Sequence, residues 1–167
     1  MKRILVIGCP GAGKSTFARA LRDRTGLSLW YLDQIWHRPD RTNVSREEFD
    51  ARLGELLRGP EWIIDGNYLR TLEVRLQAAD AVFLLDYPTE VCLEGARSRI
   101  GTRREDLPWV EEEFDPEFRQ WIEDFSRDQL PEINRLLEQY RDGREIHRFR
   151  NREEAAAWLR GFDAKAD

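Results

Sequence analysis

The sequence predicts an α/β fold of the doubly wound kind, a parallel sheet with helices on both faces. Three observations predict it: five short apolar runs of strand character, amphipathic helical stretches between them, and capping or turn residues at the junctions. Ile4-Leu5-Val6-Ile7 is a continuous apolar run, the pattern of a strand buried on both faces. Lys14 to Arg24 carries Phe17, Ala20 and Leu21 at helical spacing, and Gly26 suits its C-terminal stop. Leu29-Trp30-Tyr31-Leu32 reads as the second strand. Ser45-Arg46-Glu47-Glu48 is a capping box, opening a helix with Phe49, Leu53, Leu56 and Leu57 on one face, which Gly59-Pro60 ends. Trp62 to Asp65 is the third strand and Ala81 to Leu85 the fourth, with a short helix over Thr71 to Ala79 between them. Thr89 to Arg99 is helical, although Gly95 in its interior costs about 1 kcal/mol against Ala. Asp115-Pro116 has the cap-then-proline form of a helix start, leading into Phe118, Trp121, Ile122 and Phe125. Pro131 restarts the chain into a second helix that ends at Gly143. Ile146 to Phe149 is the fifth strand, and Asn151-Arg152-Glu153-Glu154 opens the last helix. The row Trp121, Phe125, Leu130, Ile133, Leu136 and Leu137 reads as core packing.

With 167 residues, and no repeat or linker in them, the chain reads as one domain over 1–167. Its 41% hydrophobic and 35% charged content is that of a globular protein with a highly charged surface. A net charge of -5 argues against a dedicated nucleic-acid binder, so direct nucleic-acid binding is not expected. Cys9 and Cys92 are too few and too far apart in sequence for a disulfide framework or a zinc site, and His37 and His147 make no metal pattern. The apolar run before Gly8 is too short for a signal peptide or membrane span, so the expected location is cytoplasmic.

Gly8-Cys9-Pro10-Gly11-Ala12-Gly13-Lys14-Ser15 fits G-x-x-x-x-G-K-[ST]. Glycines let the backbone bend so that successive N–H groups face phosphate oxygens. The helix starting at Lys14 adds its positive dipole end. Lys14 reaches the β- and γ-phosphates of ATP, and Ser15 offers a hydroxyl to Mg²⁺. Average composition gives a chance match of roughly 1 in 200 in a chain this long. The position, directly after an apolar strand and before a helix, lowers that further.

Asp33 and Asp65 each follow a predicted strand, where open α/β folds place ligand groups. Either could hold Mg²⁺ through water or accept a proton from an attacking hydroxyl. Asp65 is the choice for the metal's water shell and Asp33 for the acceptor hydroxyl. Arg97, Arg99, Arg103 and Arg104 cluster at the end of one helix and in the loop after it, a composition suited to a lid over about 97–109 that closes on phosphoryl oxygens. Trp36, His37, Arg38 and Arg41 lie after Asp33 and could form an acceptor pocket, with Trp36 as a stacking face.

The loop Gly8–Ser15 with Thr16, then Tyr31-Leu32-Asp33, Trp62-Ile63-Ile64-Asp65-Gly66-Asn67-Tyr68 and Leu84-Leu85-Asp86-Tyr87-Pro88, together resemble the bacterial topology modulation proteins (FlaR-related), which belong to the adenylate-kinase-like P-loop kinases. The resemblance spans nearly the whole chain, and the Trp-Ile-Ile-Asp-Gly-Asn-Tyr run is its most specific part. It implies a five-stranded parallel sheet in the order 2-3-1-4-5 with a short lid. It also implies that Gly8, Pro10, Gly11, Ala12, Gly13, Lys14, Ser15 and Thr16 hold the nucleotide. Arg99-Ile100-Gly101-Thr102-Arg103 is similar to the lid arginine pair of nucleotide kinases, one near adenine and one on phosphate, and Arg103-Arg104-Glu105-Asp106 to their arginine-acid-acid segment. Nucleotide kinases place an arginine three residues after the third-strand glycine, whereas Arg70 stands four after Gly66. The region between strands two and three holds one convincing helix and no obvious monophosphate-binding domain.

The expected activity is transfer of ATP's γ-phosphoryl group, with Mg²⁺, to a small-molecule acceptor, a nucleotide or nucleoside. The alternatives are a small-metabolite kinase of the shikimate or gluconate type and a regulatory ATP-binding module.

Overall fold

A computed structural model describes residues 1–162. Five strands form one all-parallel sheet in the order β2-β3-β1-β4-β5, as the resemblance implies. The chain runs β1 (Arg3–Gly8), α1 (Lys14–Thr25), β2 (Leu29–Tyr31), α2 (Leu32–Trp36), α3 (Arg46–Leu57), β3 (Trp62–Asp65) and α4 (Leu69–Ala78). It continues through β4 (Ala81–Leu85), α5 (Thr89–Ser98), α6 (Pro116–Asp128), α7 (Leu130–Gln139), β5 (Glu145–Phe149) and α8 (Arg152–Gly161).

β1, β3 and β4 are continuous apolar runs because helices cover both of their faces, and Ile4 to Ile7 and Ala81 to Leu85 are all but inaccessible. β5 lies at an edge, so Glu145 to Arg148 tolerate charge while Phe149 turns inward. Phe17, Phe83, Phe149 and Trp158 pack as one aromatic cluster, with Phe17 and Phe83 at 5.1 Å between centroids. The register sets Val6 beside Asp65, and Asp65 beside Tyr31, so the ends of β1, β3 and β2 open on the same edge.

The structure corrects three boundaries and adds one helix. β2 stops at Tyr31, and Leu32 begins α2, a five-residue helix that the pattern did not reveal. Asp33 therefore sits in a first helical turn, where a carboxylate suits the dipole, and Trp36 belongs to that helix. α4 begins at Leu69, two residues before Thr71. α7 ends at Gln139, so the glycine at 143 closes a turn before β5 and is not the helix stop. Both capping boxes form only halfway. Ser45 accepts from the Glu48 N–H at 3.1 Å, but the Glu48 carboxylate pairs with Arg38 and Arg52. Asn151 accepts from the Glu154 N–H, whose carboxylate takes the Arg150 N–H.

Candidate active site

The phosphate loop leaves β1 at Gly8 and enters α1 at Lys14. Gly13 caps α1 in the left-handed conformation with no side-chain partner. The first N–H groups of a helix have no carbonyl in a preceding turn, so those of Lys14 and Ser15 point out of the helix start. The loop is fixed from both sides. Asn67 accepts from the Gly8 N–H at 2.9 Å and donates to the Gly8 carbonyl at 2.6 Å. On the other side it presses on α5: a Cβ on Gly11 would lie 1.9 Å from the Cys92 carbonyl oxygen, and one on Gly95 2.0 Å from that of Gly11. Gly95 is thus required by close approach, which explains a residue that helix propensity disfavours.

Cys9 and Cys92, distant in sequence, meet across this contact as buried free thiols. Cys9 donates to the Ile122 carbonyl at 4.0 Å and Cys92 to that of Tyr87 at 3.9 Å, and the neighbouring Cys92 together with burial pushes the Cys9 thiol up.

The Asp-Gly-Asn-Tyr run that follows β3 joins the parts of the site. Ser15 donates its hydroxyl to Asp65 Oδ2 at 2.8 Å. Asp65 is 4% exposed, and burial raises its carboxyl from 3.8 to about 6 despite Lys14 and the Ser15 bond. Gly66 sits against Leu32, where a Cβ would meet the side chain at 2.9 Å. Tyr68 has a positive φ of 38° and donates its hydroxyl to Asp33 Oδ1 at 2.6 Å. Arg75 of α4 holds the turn from beneath. It is fully buried, bonds the carbonyls of Gly66, Asn67 and Tyr68, and is lowered to about 9 by burial. Sequence reasoning had Asn67 only as a member of the Trp62–Tyr68 run, without its role, and passed over Arg75. The one signal was that Arg75 occupies an apolar-face position between Leu72 and Leu76.

Two cavities meet here. One, of about 480 Å³, is bordered by Lys14, Ser15, Asp33, Asp65, Arg99 and Arg104, with an aromatic and apolar wall of Tyr31, Tyr68, Phe118 and Trp121. The other, of about 390 Å³, follows the loop along Gly11, Gly13 and Thr16 to Arg19, Arg103 and Arg152. Ser15, Arg99, Arg104 and Asp106 border both. Pro10 faces the first cavity, while Ala12 is buried at 2% exposure.

The arginine cluster divides. Arg99 reaches both cavities, and burial lowers its affinity for its proton. Among the described residues, Asp65 Oδ1 and Arg99 Nε are two of only three buried side-chain atoms without a hydrogen-bond partner. Buried polar atoms are normally paired, so two orphans at one site mark a place for a ligand. Arg104 is held by Asp106 at 3.0 and 2.6 Å and by Glu111. Arg103 borders the second cavity only, and Arg97 lies over the Phe114 ring, away from both. The segment carrying them docks through Glu105, which takes Tyr31 and Arg22 on its carboxylate and Gln34 on its carbonyl.

The acceptor pocket expected around Trp36 is not where the cavity lies. Trp36 packs edge-on against Phe49 at 5.8 Å and against Tyr68 at 6.4 Å, so it supports Tyr68 instead of lining the space. Arg38 pairs with Glu48, and His37 and Arg41 pack on Trp109. The apolar wall comes from α6, where Phe118 and Trp121 line the cavity although Trp121 was expected in the core row. Trp121 is 47% exposed, and the buried residues of α6 are Ile122 and Phe125.

Among solved structures the chain is similar to a shikimate kinase from Acinetobacter baumannii in complex with shikimate. The TM-score is 0.61 at 18% identity, over 96% of this chain and 90% of that one. The fold is the P-loop kinase fold. A gluconokinase from Sinorhizobium meliloti is similar at a TM-score of 0.56 and 19% identity, over 95% of this chain and 87% of that one. A shikimate kinase from Bacteroides thetaiotaomicron gives 0.58 and 17%, over 96% and 95%. No family model matches the chain, and no curated protein matches it. No helix of the described residues is long and apolar enough to cross a membrane.

Proposed function

We propose that the protein is an ATP-dependent small-molecule kinase that transfers the γ-phosphoryl group to a hydroxyl of a small acceptor, in the cytoplasm. The observation that carries this reading is the convergence of Lys14, Ser15, Asp65, Asp33 and Arg99 on one cavity that joins a second along the phosphate loop. The nucleotide lies in the second cavity with its phosphates on the loop Gly8 to Thr16, and the acceptor in the first.

Ser15 and Asp65 fit Mg²⁺: a hydroxyl and a carboxylate oxygen lie together, and the second carboxylate oxygen is buried without a partner. Among the described residues no group of three or more His, Cys, Asp or Glu could hold a metal. That suits a cation bound mainly by phosphate and water. Bound there, Mg²⁺ would neutralise charge on the β- and γ-phosphate oxygens.

In the transfer, the acceptor's hydroxyl oxygen forms the new bond to the γ-phosphorus. The bond from that phosphorus to the β,γ-bridging oxygen breaks, and ADP leaves with the electron pair. The hydroxyl proton passes to the Asp33 carboxylate, which Tyr68 holds in place. Lys14 and Arg99 stabilise the charge spread over the phosphoryl oxygens, and Arg104, held by Asp106 and Glu111, adds positive charge at the junction of the two cavities.

The resemblance around Trp62–Tyr68 supports a place near the topology modulation proteins, with a nucleotide or nucleoside acceptor. The similarity to shikimate kinases and a gluconokinase favours a second reading, a non-nucleotide metabolite as acceptor.

The test is ADP release from Mg-ATP with and without added hydroxyl compounds. Lys14→Ala should reduce acceptor-stimulated transfer by about 10²-fold or more while leaving the circular dichroism spectrum unchanged. A purified variant turning over ATP at the wild-type rate would remove the assignment of the phosphate loop.

A further inference from the structure

Three features of the first cavity bear on what it accepts. The first is the wall from α6. Phe118 and Trp121 line the cavity from a helix whose own packing is already served by Ile122 and Phe125. A half-exposed indole beside a concave space offers a flat face to a flat ligand, because stacking burns little conformational freedom in a side chain with two rotatable bonds. Tyr31 and Tyr68 add further ring surface to the same cavity.

The second feature is where the cations are spent. Kinases whose acceptor bears a phosphate or a carboxylate need a cation for it, best an arginine that can grip two oxygens. Arg70, the arginine nearest to the expected position, pairs with Asp50 at 2.8 and 3.1 Å and lies outside the cavity. Arg38 pairs with Glu48, Arg41 covers Trp109, and Arg75 is committed to three backbone carbonyls. Arg104 already has two carboxylates. Lys14 and Arg99 remain, and both stand beside the phosphate loop, Arg99 at the junction of the cavities.

The third feature is the carboxylates. Asp33 and Asp65 both border the space without a cationic partner, so an anion on the acceptor would meet repulsion. The volume of about 480 Å³ is in the range of sites for ring-bearing small molecules.

Building on the kinase reading, we infer that the acceptor is an uncharged, ring-bearing polyol of the nucleoside class, with its base against Phe118 and Trp121 and a sugar hydroxyl at Asp33. Nucleoside monophosphates and carboxylic acids such as shikimate and gluconate are disfavoured. Nucleoside plus ATP gives the phosphorylated nucleoside plus ADP, with the hydroxyl proton passing through Asp33 to solvent.

The test measures ADP release by the full chain with Mg-ATP and, separately, each common ribo- and deoxyribonucleoside, each 5′-monophosphate, shikimate and gluconate. The expected result is stimulation of at least tenfold by one or more nucleosides and none by the anionic compounds. Trp121→Ala should then raise KM for that nucleoside about tenfold or more, with a smaller effect on kcat, and Trp121→Phe should restore most of it. Stimulation by a monophosphate or an acid with the nucleosides inert overturns the inference and leaves the kinase reading standing. So does an unchanged KM in Trp121→Ala, which would show that the ring is not part of the site. Stimulation by none of the compounds also overturns it. Basal ATP hydrolysis then separates the two: its loss in Lys14→Ala keeps the ATP site, and its persistence ends the kinase reading as well.

Discussion

Asp65 carries a cost that its proposed role explains. Its carboxylate is buried, receives the Ser15 hydroxyl on one oxygen and leaves the other unpaired. Burial lifts the carboxyl from 3.8 to about 6, which corresponds to about 3 kcal/mol between its two charge states. Below pH 4 the group is protonated both folded and unfolded, and the fold carries no penalty. Between pH 4 and 6 the unfolded chain releases this proton first, so stability falls as pH rises through the folded value. Without metal or nucleotide, Asp65→Asn should therefore raise Tm at pH 8, by an amount equivalent to about 1–3 kcal/mol, while impairing Mg-dependent turnover. The gain should vanish near pH 4, where the two side chains are equally neutral. Thermal melts of both proteins across pH 4 to 8 test this, and a gain independent of pH would show that Asp65 is not ionised at cost.

At the scale of elements, the contact between the phosphate loop and α5 decides the loop's shape. Helix propensity alone says that Gly95→Ala should stabilise α5 by about 1 kcal/mol. The contact says the reverse, because the added Cβ would fall 2.0 Å from the Gly11 carbonyl oxygen, a backbone atom that can give way only by moving the loop. Overpacking of this kind costs about 1–3 kcal/mol. Gly95→Ala should lower Tm and weaken affinity for an ATP analogue, measured by titration calorimetry with Mg²⁺. A rise in Tm with unchanged affinity would show the contact to be loose. α6 teaches the complementary lesson. Its heptad-like row suggested packing throughout, yet only Ile122 and Phe125 are buried, and the rings beside them face the cavity.

For the molecule as a whole, the strand order sets β3 next to β1, so Asp65 lies one strand from the phosphate loop and Asp33, after β2, one strand further. The segment 97–109 is docked beside them by Glu105 on Tyr31, Arg22 and Gln34. The Tyr31 bond holds the Glu105 carboxyl below its usual range, with Arg22 adding to it. The attachment is mostly at the surface, so it is weak enough to open for exchange of ligands. A non-hydrolysable ATP analogue should slow amide exchange across 97–109, and Glu105→Ala should speed it in the free protein. Unchanged protection of this segment at saturating ligand would remove its role as a lid.

The sequence by itself determined the alternation of elements and pointed to the glycine-rich loop and the two aspartates that the fold brings to one cavity, because each is written in neighbouring residues. Apolar runs dictate buried strands, and a glycine-rich turn before a helix dictates where phosphate can bind. It misplaced α2, whose five residues are too few to show a period, and so placed Trp36 in the acceptor pocket. Only the tertiary structure decided which side chains meet. Asn67 clamping Gly8, Arg75 beneath the turn, Cys9 against Cys92 and Gly95 against Gly11 join residues that are local in space but distant along the chain. The same holds for the arginines: composition shows twenty-four of them, and only the partner each one finds separates those that build the surface from Arg99, whose buried Nε has none.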